Sequence, residues 1–276
     1  KLGSVIMIQY CFADKLLAFG ALNMGVTILT ALTYRFYCVR NFLNCRYVRY
    51  WSALLFKELF SYIGWSLIGN LAWTFNSQGM NILINMFFGP VFNATRGIAS
   101  SVESAVSSFL YNFITPAVPP IIKAYAAGDI DEMIRLSLRS SKLGFLLFMC
   151  LSLPLISVMN PILKLWLIAP PPQSWTFCLL SLIYIQCNSL GGTLQNMVQA
   201  TGKVKRYQLS NGIVKIMALP IVYIIYKCGG DVVAYLWTLI LTSIVGLMVQ
   251  LDAVRRLIDS FKISDYLKKV IMPALT

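Results

Sequence analysis

Basic residues in this chain fall in clusters, and the clusters sit in every second connection between its apolar stretches. One cluster holds Arg35, Arg40, Arg46, Arg49 and Lys57, and the next holds Lys123, Arg135, Arg139 and Lys142. A third holds Lys203, Lys205 and Arg206, and the last Arg255, Arg256, Lys262, Lys268 and Lys269. The connections between them carry only Lys15, Arg96, Lys164 and Lys227. Lys and Arg are retained on the cytoplasmic side during insertion, so this alternation is the imprint of a polytopic membrane protein. It sets class, span count and orientation together.

Composition supports that class. Hydrophobic residues make up 58% of the 276 residues and charged residues 12%, about half the charge of an average soluble domain. Several apolar runs approach the roughly 20 residues that cross a bilayer core. The net charge of +13 is spread over short loops flanking spans, which argues for topology and attraction to anionic lipid head groups and against nucleic acid. No charged leader with a cleavage site is visible, and both ends, Lys1-Leu2-Gly3 and Pro273-Ala274-Leu275-Thr276, lie inside apolar runs. The sequence therefore reads as a piece of a longer, transporter-sized protein.

Tracing the chain from loop to loop predicts an all-α transmembrane bundle of about eight spans. Residues 1–12 end outside, Asp14-Lys15 turn, 16–34 return, and 35–57 form a basic inner loop. Residues 59–88 run outward to Phe88-Gly89-Pro90, a helix stop followed by proline. A helix from near Asn93 to about 117 is broken by Pro116, Pro119 and Pro120. Spans at 143–160, 175–198, 207–226 and 232–251 follow, with Pro170-Pro171-Pro172 and Gly229-Gly230 as outer turns.

Polar residues inside these spans carry the functional information. Asn70, Thr74, Gln78, Asn81 and Asn85 recur at steps of four, four, three and four, one face of a helix. Unpaired amides are costly in hydrocarbon, so this face needs polar partners or a water-filled cavity. The next helix carries Asn93, Arg96, Ser100, Glu103, Ser104, Ser107, Ser108 and Asn112. Glu103 is the one carboxylate deep in a predicted span, with two roles open: proton or cation coupling, or a structural partner for Arg96 or Lys215. Lys215 lies about two turns inside its span, either snorkelling to the interface or contacting an anionic substrate. Gln186, Asn188, Thr193, Gln195, Asn196 and Gln199 encircle a further span; such amides read sugar hydroxyls.

Other chemistries find little purchase. The chain has no His, and its seven cysteines show no C-x-x-C spacing, which argues against a zinc or haem site. The cysteines read as small fillers of helix packing. General acid–base catalysis wants His or paired carboxylates, and no phosphate-cradling Gly-rich loop ends in Lys-Ser or Lys-Thr. The expectation is a passive or ion-driven transporter without cofactor or metal.

Several segments, in order, resemble a known family. They are Gly64-Trp65-Ser66-Leu67-Ile68-Gly69-Asn70-Leu71-Ala72, Asn76-Ser77-Gln78-Gly79-Met80-Asn81-Ile82-Leu83-Ile84-Asn85, Phe88-Gly89-Pro90 and Asn93-Ala94-Thr95-Arg96-Gly97-Ile98-Ala99. Lys123-Ala124-Tyr125-Ala126-Ala127-Gly128-Asp129 and Gln199-Ala200-Thr201-Gly202-Lys203 follow. Together they resemble bacterial polysaccharide flippases of the Wzx type, in the superfamily of the multidrug and toxin extrusion (MATE) transporters. The resemblance implies a dozen or more helices in two bundles around a central cavity with alternating access. It implies an undecaprenyl-diphosphate-linked oligosaccharide, for O-antigen or capsule, crossing the bacterial inner membrane. On this reading 1–38 closes the first bundle and 39–58 is a basic cytoplasmic linker. Residues 59–252 form the second, six-helix bundle, and 253–276 a cytoplasmic loop and the start of another span.

The expected cavity residues are Asn70, Gln78, Asn81, Asn85, Arg96, Ser100, Glu103, Ser107 and Lys215. The expected partners are the lipid-linked oligosaccharide, membrane lipids and a coupling proton or sodium ion. Two other functions compete. A cation-coupled drug antiporter of the same fold would be dominated by Glu103. A membrane glycan polymerase or acyltransferase would display a large charged outer loop, and the outer connections here are short.

Overall fold

A computed structural model describes residues 15–42, 51–167 and 169–272. The predicted span at 1–12, the turn at Asp14, residues 43–50 of the inner loop and the start of a further span after 272 lie outside these residues, as do Cys11 and Cys45. The chain divides into two compact units, 1–56 and 57–276. In the first, helix α1 (Lys15–Asn41) folds the side chains of Thr27, Thr30 and Thr33 back onto the carbonyls four residues earlier, at 2.7–2.8 Å. Hydroxyls that would otherwise face hydrocarbon are satisfied within the helix.

The second unit is a helical bundle. It comprises α2 (Ala53–Phe88, whose first turn belongs to the first unit), α3 (Pro90–Ile114), α4 (Val118–Ala126), α5 (Ile130–Ser157) and α6 (Met159–Leu167). Then come α7 (Ser174–Thr201), α8 (Lys205–Lys227), α9 (Ala234–Leu257) and a short α10 (Ile263–Tyr266) that runs on as a π-helical turn, Leu267–Ile271. No strand occurs among the described residues. Five stretches are long and apolar enough to cross a membrane: Pro90–Ala126, Ile130–Ser157, Ser174–Thr201, Lys205–Lys227 and Ala234–Leu257. The chain is a multi-pass helical membrane protein. At 27 and 36 residues, α1 and α2 are also long enough to span.

Local sequence explains where the helices turn. Gly89 adopts φ 82° between α2 and α3, and Pro90 opens α3 where a missing N–H costs nothing. Gly128 (φ 78°) closes α4, and the Asp129 carboxylate then caps α5 by accepting from the Glu132 N–H at 2.9 Å. Asp131 and Glu132 in the first turn complement the helix dipole. The prolines at 116, 119 and 120 act differently from the expected break. Each falls in the first turn of a new helical piece, the 3₁₀ turn Thr115–Ala117 or α4, so the chain stays helical to Ala126. Likewise α5 begins at Ile130 instead of 143, which places Arg135, Arg139 and Lys142 on helix.

Apolar side chains face outward as well as inward. On α8, Ile213, Met217, Ile221 and Ile224 form an exposed row, a lipid-facing stripe. Inside lie two separate apolar cores. One gathers Met80, Ile84, Phe148, Phe177, Val222 and Tyr235 toward the end with few charges. The other gathers Met133, Met197, Tyr207, Val254, Phe261 and Tyr266 at the basic end. Polar space separates them.

Helix directions follow the loop alternation. Helices α2 and α8, both expected to run outward from the basic side, lie parallel. The Lys205 ammonium sits 4.7 Å over the Trp65 ring, and Gly69 backs against Gln208. A Cβ on Gly212 would touch Ala72 at 3.4 Å, and one on Gly79 would stand 2.6 Å from Leu219. Asn76 donates its amide to the Lys215 carbonyl. The α2 positions 65, 69, 72, 76 and 79 step by four and three, as do 205, 208, 212, 215 and 219 on α8. That is the 3.5-residue period of a coiled-coil seam, with small residues bringing the backbones close.

Candidate functional site

Polar space between the two apolar cores forms two adjoining cavities. The first, of about 200 Å³, is lined from α2, α3, α7, α8 and α9. The second, of about 290 Å³, lies among α3, α5, α7, α8 and α9. Asn188, Asn211, Lys215 and Gln250 line both.

Three ionisable groups of the bundle interior meet in the first cavity: Arg96, Glu103 and Lys215. Arg96 is half-buried on α3 and donates to the Ser77 carbonyl at 3.1 Å and to the Asn81 amide oxygen. Its guanidinium lies 5.6 Å from the Tyr235 ring centre, a favourable cation–π geometry. Neutral acceptors and an aromatic face thus hold the Arg96 head. Glu103 makes no ion pair or side-chain hydrogen bond among the described residues, and neither does the Lys215 ammonium. The ion pairs there, Arg135–Glu132, Arg256–Asp252 and Lys269–Asp265, all lie at the basic end. Two cations and one carboxylate leave the first cavity with a net charge of +1.

Between the cavities stands an amide pair. The Gln250 side chain of α9 donates to the Asn211 amide oxygen of α8 at 3.1 Å, with both residues buried. Gln250 reaches this position because Gly191 of α7 has no Cβ; a methyl there would overlap the Gln250 amide oxygen. That oxygen is buried without a partner among the described residues. At the basic end the second cavity closes on Ser141, whose hydroxyl lies 3.0 Å from the Tyr266 hydroxyl. Tyr266 in turn donates to the Leu190 carbonyl at 2.6 Å, tying α10 to both α5 and α7. Burial pushes the Tyr266 phenol up to about 12, the Ser141 bond partly offsetting this.

The expected site residues divide. Arg96, Ser100, Glu103 and Lys215 line the first cavity, and Ser107 lines the second. Asn81 reaches the site indirectly, through Arg96. Asn70, Gln78 and Asn85 are exposed and line neither cavity. Helix α2 presents Trp73, Asn76 and Ser77 instead, a face one residue, or about 100°, around from Gln78. Asn188, Thr193, Gln195 and Asn196 line the second cavity, whereas Gln186 is spent on the Phe145 carbonyl at 3.1 Å.

Sequence reasoning placed a span at 232–251 but named no site residue on it. Tyr235, Leu239, Thr242, Gly246 and Gln250 all line the first cavity, and their steps of four, three, four and four form a stripe as regular as that on α2. Among the described cysteines, Cys178 is buried as a packing filler, while Cys150 and Cys228 are exposed. Comparison with family models, with curated proteins and with solved structures finds no match for this chain.

Proposed function

We propose that this chain belongs to a bacterial inner-membrane flippase. It would move an undecaprenyl-diphosphate-linked oligosaccharide outward for O-antigen or capsule synthesis. The architecture proposed is MATE-like, with about eight spans here and alternating access between the two faces. One observation carries the reading: an apolar bundle encloses a hydrophilic cavity holding two cations and one carboxylate. A diphosphate needs fixed positive charge away from water, and each charge-assisted hydrogen bond contributes about 1.5–3 kcal/mol. Arg96 is held in place for that task, and the unpaired Lys215 ammonium is free to join it. The amides and hydroxyls around them suit a glycan, and the apolar exterior suits the polyprenyl tail. The cargo is moved without a change to its covalent bonds, so the protein is a transporter and not an enzyme. The coupling ion, a proton or sodium, would act at Glu103.

That same carboxylate supports the second reading, a cation-coupled drug antiporter. Complementation of a flippase-deficient strain with the complete gene separates the two. Restored surface glycan, lost in Arg96→Ala and Lys215→Ala and reduced in Glu103→Gln, is the expected result. Normal glycan from all three variants sinks the site assignment. Drug resistance without glycan establishes the antiporter.

A further inference from the structure

Arg96 is held by groups that carry no charge, and their arrangement gives a role to two α2 residues outside both cavities. The guanidinium donates to the Ser77 carbonyl and to the Asn81 amide oxygen, with the Tyr235 ring centre 5.6 Å away. Neither Asn81 nor Gln78 lines a cavity. The two are nevertheless joined, the Asn81 side-chain NH2 donating to the Gln78 side-chain oxygen at 3.2 Å.

The chemistry of these groups sets the direction of the chain of bonds. A guanidinium only donates, so Asn81 must turn its oxygen toward Arg96. Its NH2 group then points away and needs an acceptor, which Gln78 supplies from three residues earlier on the same helix. At about 100° per residue, Asn81 lies roughly 40° round the helix from cavity-lining Ser77 and roughly 60° from exposed Gln78, so it reaches both. With Gln78 as it stands, the reversed amide would set donor against donor at Arg96 and acceptor against acceptor at Gln78. An aspartate at 81 would grip Arg96 harder through a charge-assisted bond. It would also cancel the net charge of +1 that Arg96, Lys215 and Glu103 give the first cavity.

We propose that Asn81 and Gln78 are positioning residues for Arg96. Gln78 fixes the orientation of Asn81, and the neutral Asn81 amide aims the guanidinium while leaving its charge for an anion. The assignment rests on the flippase reading, in which Arg96 meets the diphosphate, and it names what makes the first cavity select an anion. Holding by an amide orients the cation; holding by a carboxylate would orient and neutralise it.

The test measures inorganic pyrophosphate binding by calorimetry on the chain in lipid nanodiscs, with the melting temperature read for every variant. Asn81→Asp should weaken binding about tenfold or more yet melt no lower than the parent, because the new ion pair keeps Arg96 in place and neutralises it. Asn81→Leu should weaken binding about fivefold, the size of one neutral hydrogen bond. Gln78→Leu should weaken it about threefold in the parent and not at all in the Asn81→Leu background, the mark of a residue acting through another. Equal losses from Gln78→Leu in both backgrounds overturn the pairing. Binding at parent strength in Asn81→Asp overturns the neutral hold, and the flippase reading still stands where Arg96→Ala weakens binding. Affinity losses that merely follow falls in melting temperature reveal a structural role and overturn the assignment. A parent chain that binds no pyrophosphate overturns the assignment and the reading beneath it together.

Discussion

The two cavities share a wall and differ in how their polar groups are held. In the first, Arg96 is fixed by Ser77, Asn81 and the Tyr235 ring, while Glu103 and Lys215 face open space. In the second, every lining group except Lys215 is neutral, and two side-chain oxygens of its lining residues, on Thr193 and Gln250, are buried in packing with no partner among the described residues. The difference teaches that one bundle can keep a charged chamber beside one whose lining is almost wholly neutral. What it needs between them is a partition that itself carries no charge, here the Asn211–Gln250 pair.

The sharpest way to break this comparison is to remove charge from one side only. Arg96→Ala, on the first cavity alone, should lower pyrophosphate affinity by about 10- to 100-fold, the equivalent of one charge-assisted hydrogen bond, and leave binding of an uncharged sugar such as maltose little changed. Calorimetry on the nanodisc-embedded chain reads both. A comparable loss of both probes would mean the chambers are one site.

Next in size is an attack on the partition. In Gly191→Ala the added methyl must displace the Gln250 amide from Asn211. The displaced pair should cost about 1–3 kcal/mol of stability, seen as a lower melting temperature. It should also open the chambers to each other, seen as faster labelling of a cysteine placed at Thr193 by a reagent entering from the Arg96 side. Unchanged melting and labelling would show that Gln250 has another place to go.

A smaller effect is expected where the second chamber closes. Tyr266→Phe removes the hydroxyl that joins Ser141 and the Leu190 carbonyl, at a cost of about 1 kcal/mol. The parent tyrosine has its own pH signature. Its ionisation is raised from the ordinary 10 to about 12, so the folded state holds the proton more tightly than the unfolded one. That stabilisation is complete below pH 10 and is lost as the pH rises toward 12. Melting curves across this window should fall more steeply for the parent than for Tyr266→Phe. Smallest of all is Ser104→Ala, an exposed hydroxyl at the rim of the first chamber, expected to shift stability by less than about 0.5 kcal/mol.

Much of this architecture is legible in the chain itself, for a reason that lies in insertion. Basic loops report which side each connection stays on, and so the parallel course of α2 and α8 follows from Lys57 and Lys205 without any contact being known. The charged members of the first cavity are legible too, because Arg96, Glu103 and Lys215 are too costly in lipid to be anywhere else. The phase of α2 is not. Asn70, Gln78 and Asn85 form a perfect stripe, yet the face that meets α8 is set by Gly69, Ala72, Asn76 and Gly79, the small residues that allow close approach. Amide position alone marks polarity, and only the small residues mark the neighbour. The stripe on α9 stayed hidden because Thr242 and Gln250 are separated by Gly246, whose contribution is absence of bulk. Proline signalled breaks at 116, 119 and 120, where the structure keeps its helix by starting it anew.

The parallel seam between α2 and α8 also fixes an order of events. Asn76 and the Lys215 carbonyl it binds are 139 positions apart, and at roughly 5–20 residues per second of synthesis that separation is on the order of ten seconds. Throughout that interval α2 is already made, and its small-residue edge has no helix to meet. A newborn α2 must wait, amides and all, for a partner not yet translated. A helix that emerges late, α8, is thus the one that lets α2 settle.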